Sequence, residues 1–180
     1  MLLLLKLLHQ LEMFQEALDD FTRAIELEPT SVPAFMARGE TFMALDEPWQ
    51  AIADYGQVIE LQPKNAGAYY ARGVARAVTR EYRRAIEDYN QALELDPGMA
   101  IALADRGSAY EKLGEYKQAI EDLDRATILD PQLAIAYYNR GLAYGSMGEY
   151  DRASRDLNKA VELDASLGNR GQGIQSLKPS

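Results

Sequence analysis

Four prolines, Pro29, Pro63, Pro97 and Pro131, stand 34 residues apart, and most of the chain keeps step with them. Gly39, Gly73, Gly107 and Gly141 recur at that interval, as do Ala17, Ala51, Ala85, Ala119 and Ala153. A fixed period of this size predicts one helix-pair unit copied several times, each copy burying its apolar face against its neighbours. With proline at position 32, five repeats can be laid out: 1–31, 32–65, 66–99, 100–133 and 134–167, the first beginning part-way through.

Position 8 holds Leu5, then the four glycines. Position 20 is alanine throughout. Position 24 holds Phe21, Tyr55, Tyr89, Leu123 and Leu157, and position 27 holds Ala24, Val58, Ala92, Ala126 and Ala160. Apolar and small residues at 4, 8, 11 and at 20, 24, 27 follow helical three- and four-residue spacing, which predicts two amphipathic helices per repeat. The predicted pairs are 2–12 with 15–27, 33–45 with 49–61, 67–79 with 83–95, 101–113 with 117–129, and 135–147 with 151–163. Small residues at 8 and 20 mark where the two helices cross. Gly114 and Gly148 supply turns between helices, and each position-32 proline ends a second helix. Pro48 suits a helix first turn, with Trp49 beside it to replace a missing ring.

This pattern resembles the tetratricopeptide repeat family, with its aromatic at 4, Gly at 8, Tyr at 11, Ala at 20, aromatic at 24, Ala at 27 and Pro at 32. Tyr137 to Tyr144, continuing to Ala153, Leu157 and Ala160, matches it best. The resemblance covers roughly residues 1–165 and implies an all-α fold, an α-solenoid (right-handed superhelix) of five stacked helix-turn-helix repeats, the first truncated. Residues 168–180 are polar and glycine-rich and read as a flexible tail.

The resemblance also implies a function. In that family the first helices line a concave groove that holds a peptide, and the matching positions give Met36, Glu40, Met43, Tyr70, Val74, Asp105, Ser108, Glu111, Tyr138, Asn139 and Leu142 as partner-binding residues. The first half of this set is apolar and the second more polar, which suits an apolar partner carrying basic residues. The set that grips a C-terminal carboxylate in some family members is missing, since Asn139 alone matches it. The reading is a non-enzymatic protein-interaction scaffold. The alternative is a self-assembly module, or a piece of a larger repeat protein, that associates through uncapped end helices.

The charge balance narrows the partners. The net charge is −9, which argues against nucleic acid, whose binding rests on Lys and Arg neutralising phosphates. The chain has no cysteine and one histidine, His9, which reads as a solvated residue, so no catalytic constellation, metal site or cofactor is expected. The leucine-rich start lacks a basic leader region and a cleavage site, and no segment reaches the ~20 apolar residues of a membrane helix. The expectation is a cytoplasmic protein without a membrane partner, with terminal helices open to a second copy.

Two charge patterns remain. Arginine occupies position 7 at Arg38, Arg72, Arg106 and Arg140, and aspartate occupies position 23 at Asp20, Asp54, Asp88, Asp122 and Asp156. Pairing inside each repeat would strand Asp20, because its own repeat has Leu4 at position 7. The preferred register therefore joins each aspartate to the next arginine: Asp20–Arg38, Asp54–Arg72, Asp88–Arg106 and Asp122–Arg140. Separately, Arg72, Arg76, Arg80, Arg83 and Arg84 form a basic cluster. It reads either as an anion site or as local pairs, with Arg83–Glu87 and Arg84–Asp88 at helical spacing favouring the second.

Overall fold

The computed structural model describes residues 2–169, all helical or in connecting turns. The helices are α1 (Leu2–Leu27), α2 (Val32–Ala44), α3 (Pro48–Leu61), α4 (Ala66–Val78), α5 (Tyr82–Leu95), α6 (Ala100–Lys112), α7 (Tyr116–Leu129), α8 (Ala134–Ser146) and α9 (Tyr150–Leu163). A short 3-10 helix, Ala165–Asn169, follows. The chain divides into two compact bodies, Met1–Leu95 and Asp96–Ser180, and each is described separately. Residues 170–180 of the predicted tail lie outside the described residues, as do the side chains of residues 2–12, His9 included.

The pairs α2–α3, α4–α5, α6–α7 and α8–α9 occupy the predicted ranges, each helix starting one residue early. Their turns share one hydrogen-bond pattern. Glu47 N–H donates to Phe42 O at 2.8 Å, Glu81 to Arg76 O at 2.8 Å, Glu115 to Tyr110 O at 2.9 Å and Glu149 to Tyr144 O at 2.9 Å. The bond closes when the preceding residue turns left-handed, and Asp46, Arg80, Gly114 and Gly148 do so with φ of 60–78°. Glycine adopts this conformation freely, whereas aspartate and arginine hold it at a cost of about 1–2 kcal/mol. The first repeat departs from prediction here. Glu12 and Met13 occupy these turn positions, Glu12 is a strong helix former, and α1 runs unbroken through both predicted helices.

Each pair is held at one tight crossing. A Cβ on Gly39 would lie 2.6 Å from the Tyr55 ring, and one on Gly107 would lie 2.8 Å from Leu123 Cγ and 3.1 Å from Ala119 O. Only hydrogen fits at position 8, and the residue at 24 covers it. Tyr55, Tyr89 and Leu123 are buried there, a burial worth about 1.5–3 kcal/mol for each side chain. Trp49 does not replace the missing ring. It is 60% exposed, because one residue further along a helix lies about 100° further round it.

Loops between pairs use polar side chains to satisfy the backbone. Asn65 Oδ1 accepts from Ala68 N at 3.0 Å and caps α4. Asp96 and Asp130 accept from the backbone two residues on, at Gly98 and Gln132, a turn that the following proline pre-shapes. Asp164 does the same with Ser166 N at 2.9 Å, although Ala165 stands in the place of proline. The 3-10 helix that follows buries Leu167 and lays Gly168 against Val161. The edge of α9 predicted to be bare therefore carries this cover.

Candidate partner-binding surface

Within the first body, Met36, Glu40 and Met43 lie along one stripe of α2 at three- and four-residue spacing. Met36 and Met43 are half-buried against Ala51, Tyr55 and Ala75, and Glu40 is exposed. On α4, Tyr70 and Val74 are half-buried, and the Tyr70 ring stands 6.1 Å from that of Tyr89, tilted by 41°. One turn on, Val78 is 51% exposed and extends this apolar stripe. These side chains thus touch the core with one part and solvent with another.

Within the second body α6 packs directly on α8. Asp105, Ser108 and Glu111 of α6 are half-buried, as are Tyr138 and Leu142 of α8, while Asn139 is buried. A surface concavity of about 730 Å³ is lined by the loop Gln62–Ala66 and contains none of the predicted residues. Its lining is a single connecting loop, so it gives no grounds for moving the candidate surface there.

The electrostatic framework differs from the predicted register. Every described position-7 arginine pairs inside its own repeat: Arg38–Asp54 at 2.7 Å, Arg72–Asp88 at 2.7 Å, Arg106–Asp122 at 2.6 Å and Arg140–Asp156 at 2.7 Å. Each pair uses Nε and a terminal nitrogen together, a two-pronged contact that fits guanidinium to carboxylate. Asp54, Asp88, Asp122 and Asp156 are buried, whereas Asp20 is exposed. Hydrogen bonding to Asp54 raises the Arg38 pKa, and bonding to Asp156 raises that of Arg140, both against opposing desolvation.

The basic cluster is largely consumed by local carboxylates. Arg76 Nη1 joins Arg72 on Asp88, at 2.8 Å, and Arg84 pairs with Glu81. Arg84–Asp88 does not form, because Asp88 is already shared by two other guanidinium groups. Among the described residues, no group of three or more His, Cys, Asp or Glu side chains could hold a metal ion. No helix among them is long and apolar enough to cross a membrane.

Tyr55, beneath this surface, offers a pH readout. Burial, then the charges of Glu40 and Asp54, push its phenol from the ordinary 10 up to about 12. A raised pKa favours the neutral phenol in the fold. The stabilisation is therefore complete below pH ~10 and disappears as pH climbs through about 12, a loss of about 2–3 kcal/mol. Ultraviolet titration of the wild type against Tyr55→Phe should reveal one phenol ionising only near the alkaline unfolding transition. Titration of all tyrosines near 10 would contradict this.

Comparison with known proteins agrees with the geometry. Family models match at residues 1–31, 36–100 and 134–167, each described as a tetratricopeptide repeat, and at 107–148, described as a TPR repeat. Among solved structures, a crystal structure of MamA is similar over 89% of this chain and 94% of its own, at 27% identity and a TM-score of 0.78. TTC0263, a thermophilic TPR protein of Thermus thermophilus, is similar over 94% of both chains at 24% identity, with a TM-score of 0.76. YrrB, a TPR protein with an unusual peptide-binding site, is similar over 89% of this chain and 82% of its own, at 21% identity and a TM-score of 0.71. No curated protein matches the sequence.

Proposed function

Given that the chain belongs to the tetratricopeptide repeat family, we propose that it is a non-enzymatic protein-interaction scaffold that binds a peptide segment of a partner along its first helices. The observation that carries this reading is the half-buried apolar stripe of Met36, Met43, Tyr70 and Val74 on α2 and α4. Such side chains are already ordered by the core, so covering their outer surface removes apolar area from water with little further loss of rotamer freedom. Methionines adapt to irregular partner shapes. Glu40 on the same stripe favours a basic residue in the bound segment, and Asp105 and Glu111 give the first helix α6 of the second body the same preference. YrrB, a TPR protein of similar fold, has a peptide-binding site, which supports this reading.

The test uses a partner recovered by pull-down with the full chain and measured by calorimetry. Met36→Glu combined with Tyr70→Ala should weaken binding by at least tenfold, while Trp49→Ala, on the exposed start of α3, should leave it unchanged. Equal affinity for wild type and the double variant would remove this surface from consideration. Light scattering over a dilution series addresses self-assembly, and a concentration-independent monomer would dismiss it.

A further inference from the structure

Two of the position-7 arginines, Arg38 and Arg140, share a habit that Arg72 does not. Nε and one terminal nitrogen hold the aspartate of the same repeat, and the remaining nitrogen, Nη1, reaches back to the previous repeat. Arg38 Nη1 donates to Thr22 Oγ1 at 3.2 Å. Arg140 Nη1 donates to Asp124 Oδ1 at 2.7 Å and to Thr127 Oγ1 at 3.0 Å. For Arg72 the corresponding residues are Gly56 and Ile59, neither of which has a side-chain acceptor. Outside its own helix, a Cβ built on Gly56 would meet only Arg72 Nη1, at 3.9 Å. The space that a carboxylate fills beside Arg140 is open beside Arg72.

The charge balance differs in the same sense. Around Arg140, two carboxylates meet one guanidinium. Around Arg72 the count is reversed: Arg72 and Arg76 share Asp88, leaving one surplus positive charge within a chain of net charge −9. Arg76 Nε is also a buried donor with no acceptor, a costly condition that added negative charge nearby would ease. Arg72 is half-buried, so an anion there meets less solvent screening than at an exposed arginine.

We propose that the notch formed by Gly56 and Arg72, with Arg76 supplying the surplus charge, is a carboxylate-binding site. Its ligand does for Arg72 what Asp124 does for Arg140. Two sources share this chemistry, an acidic side chain of a partner and a small free carboxylic acid. The site is independent of the peptide surface proposed above. Arg72 lies two residues from both Tyr70 and Val74, about 200° round α4, on the opposite side of the helix.

Heteronuclear NMR of the full chain tests this by following the Gly56 amide and the Arg72 Nε–Hε during titration with sodium acetate or with sodium chloride at matched ionic strength. Acetate should shift both signals saturably, beyond any chloride effect. Gly56→Asp should reduce that response at least tenfold, because the introduced carboxylate takes the site. Arg76→Tyr, the residue found at this repeat position in Tyr110 and Tyr144, should weaken it several-fold. Met36→Glu with Tyr70→Ala should leave it unchanged, so failure of the peptide surface and failure of this site are separable. A blocked Gly-Glu-Gly peptide that binds more tightly than acetate assigns the site to a partner's side chain; equal or weaker binding assigns it to a free acid. Equal shifts with chloride, a response to phosphate but not acetate, or an undiminished response in Gly56→Asp would each overturn the proposal.

Discussion

Asp88→Asn should lower stability by about 3 kcal/mol, at the lower end of what breaking a buried ion pair costs, and the thermal midpoint by roughly 6–12 °C for a chain of this size. Asp88 is 2% exposed and receives both Arg72 and Arg76. An amide of the same shape keeps the packing but leaves two guanidinium groups facing a neutral group in a poorly solvated place. Asp20→Asn is the control, because the exposed Asp20 should change stability by no more than about 0.5 kcal/mol. Replacing all three members, as Arg72→Met, Arg76→Tyr and Asp88→Leu, should recover most of the loss, since no uncompensated charge remains. If Asp88→Asn melts within a degree or two of wild type, water reaches the pair and the ladder is a surface feature.

Gly107→Ala and Gly145→Ala should move stability in opposite directions, although both put a methyl group in a helix. Helix propensity alone favours each by about 1 kcal/mol. At Gly107 the methyl would sit 2.8 Å from Leu123 Cγ and 3.1 Å from the Ala119 carbonyl oxygen. Leu123 is fully buried and cannot swing away, so overpacking of about 1–3 kcal/mol outweighs the gain. Gly107→Val should be worse again. At Gly145 the nearest atom is Ala153 Cβ at 3.9 Å, an ordinary contact, so the propensity gain survives. Chemical denaturation of the two variants reads the sign directly, and a stabilised Gly107→Ala would mean that the crossing relaxes more easily than its geometry implies.

Much of the fold is legible in the residues because the period repeats the turn chemistry with the helices. A left-handed residue followed by glutamate closes four turns, and the first repeat, which has Glu12 and Met13 there, lacks the signal and forms no turn. Period alone suggests a turn; the local residues decide otherwise. The ion-pair register departs from expectation for a related reason. That expectation assumes that an unpaired Asp20 must be avoided, yet an exposed carboxylate is stable without a partner and its pairing would add at most about 1 kcal/mol. The backward reach of Arg38 and Arg140 is not visible in the sequence, because position 25 changes from Thr22 to Gly56 to Asn90 to Asp124 and shows no pattern to follow. The stripe of Met36, Met43, Tyr70 and Val74 follows from resemblance, and its half-burial is a property of packing that no spacing rule gives. Burial of Asn139 is likewise invisible, since a helical wheel does not say how closely α6 approaches α8.

The closure of each position-7 arginine on the aspartate sixteen residues downstream gives each buried position-23 aspartate a partner within its own helix hairpin. Copying or deleting one 34-residue block therefore transfers a matched pair of charges and never strands a buried aspartate at the new junction. A cross-linked register would instead leave one unpaired charge at each end of an array, however many copies it held. What varies freely between copies is the third prong, at position 25, where one exchange of threonine, aspartate or glycine alters how firmly a hairpin is clipped to its predecessor. The array can thus be lengthened with every buried aspartate still paired while its joints are tuned one by one.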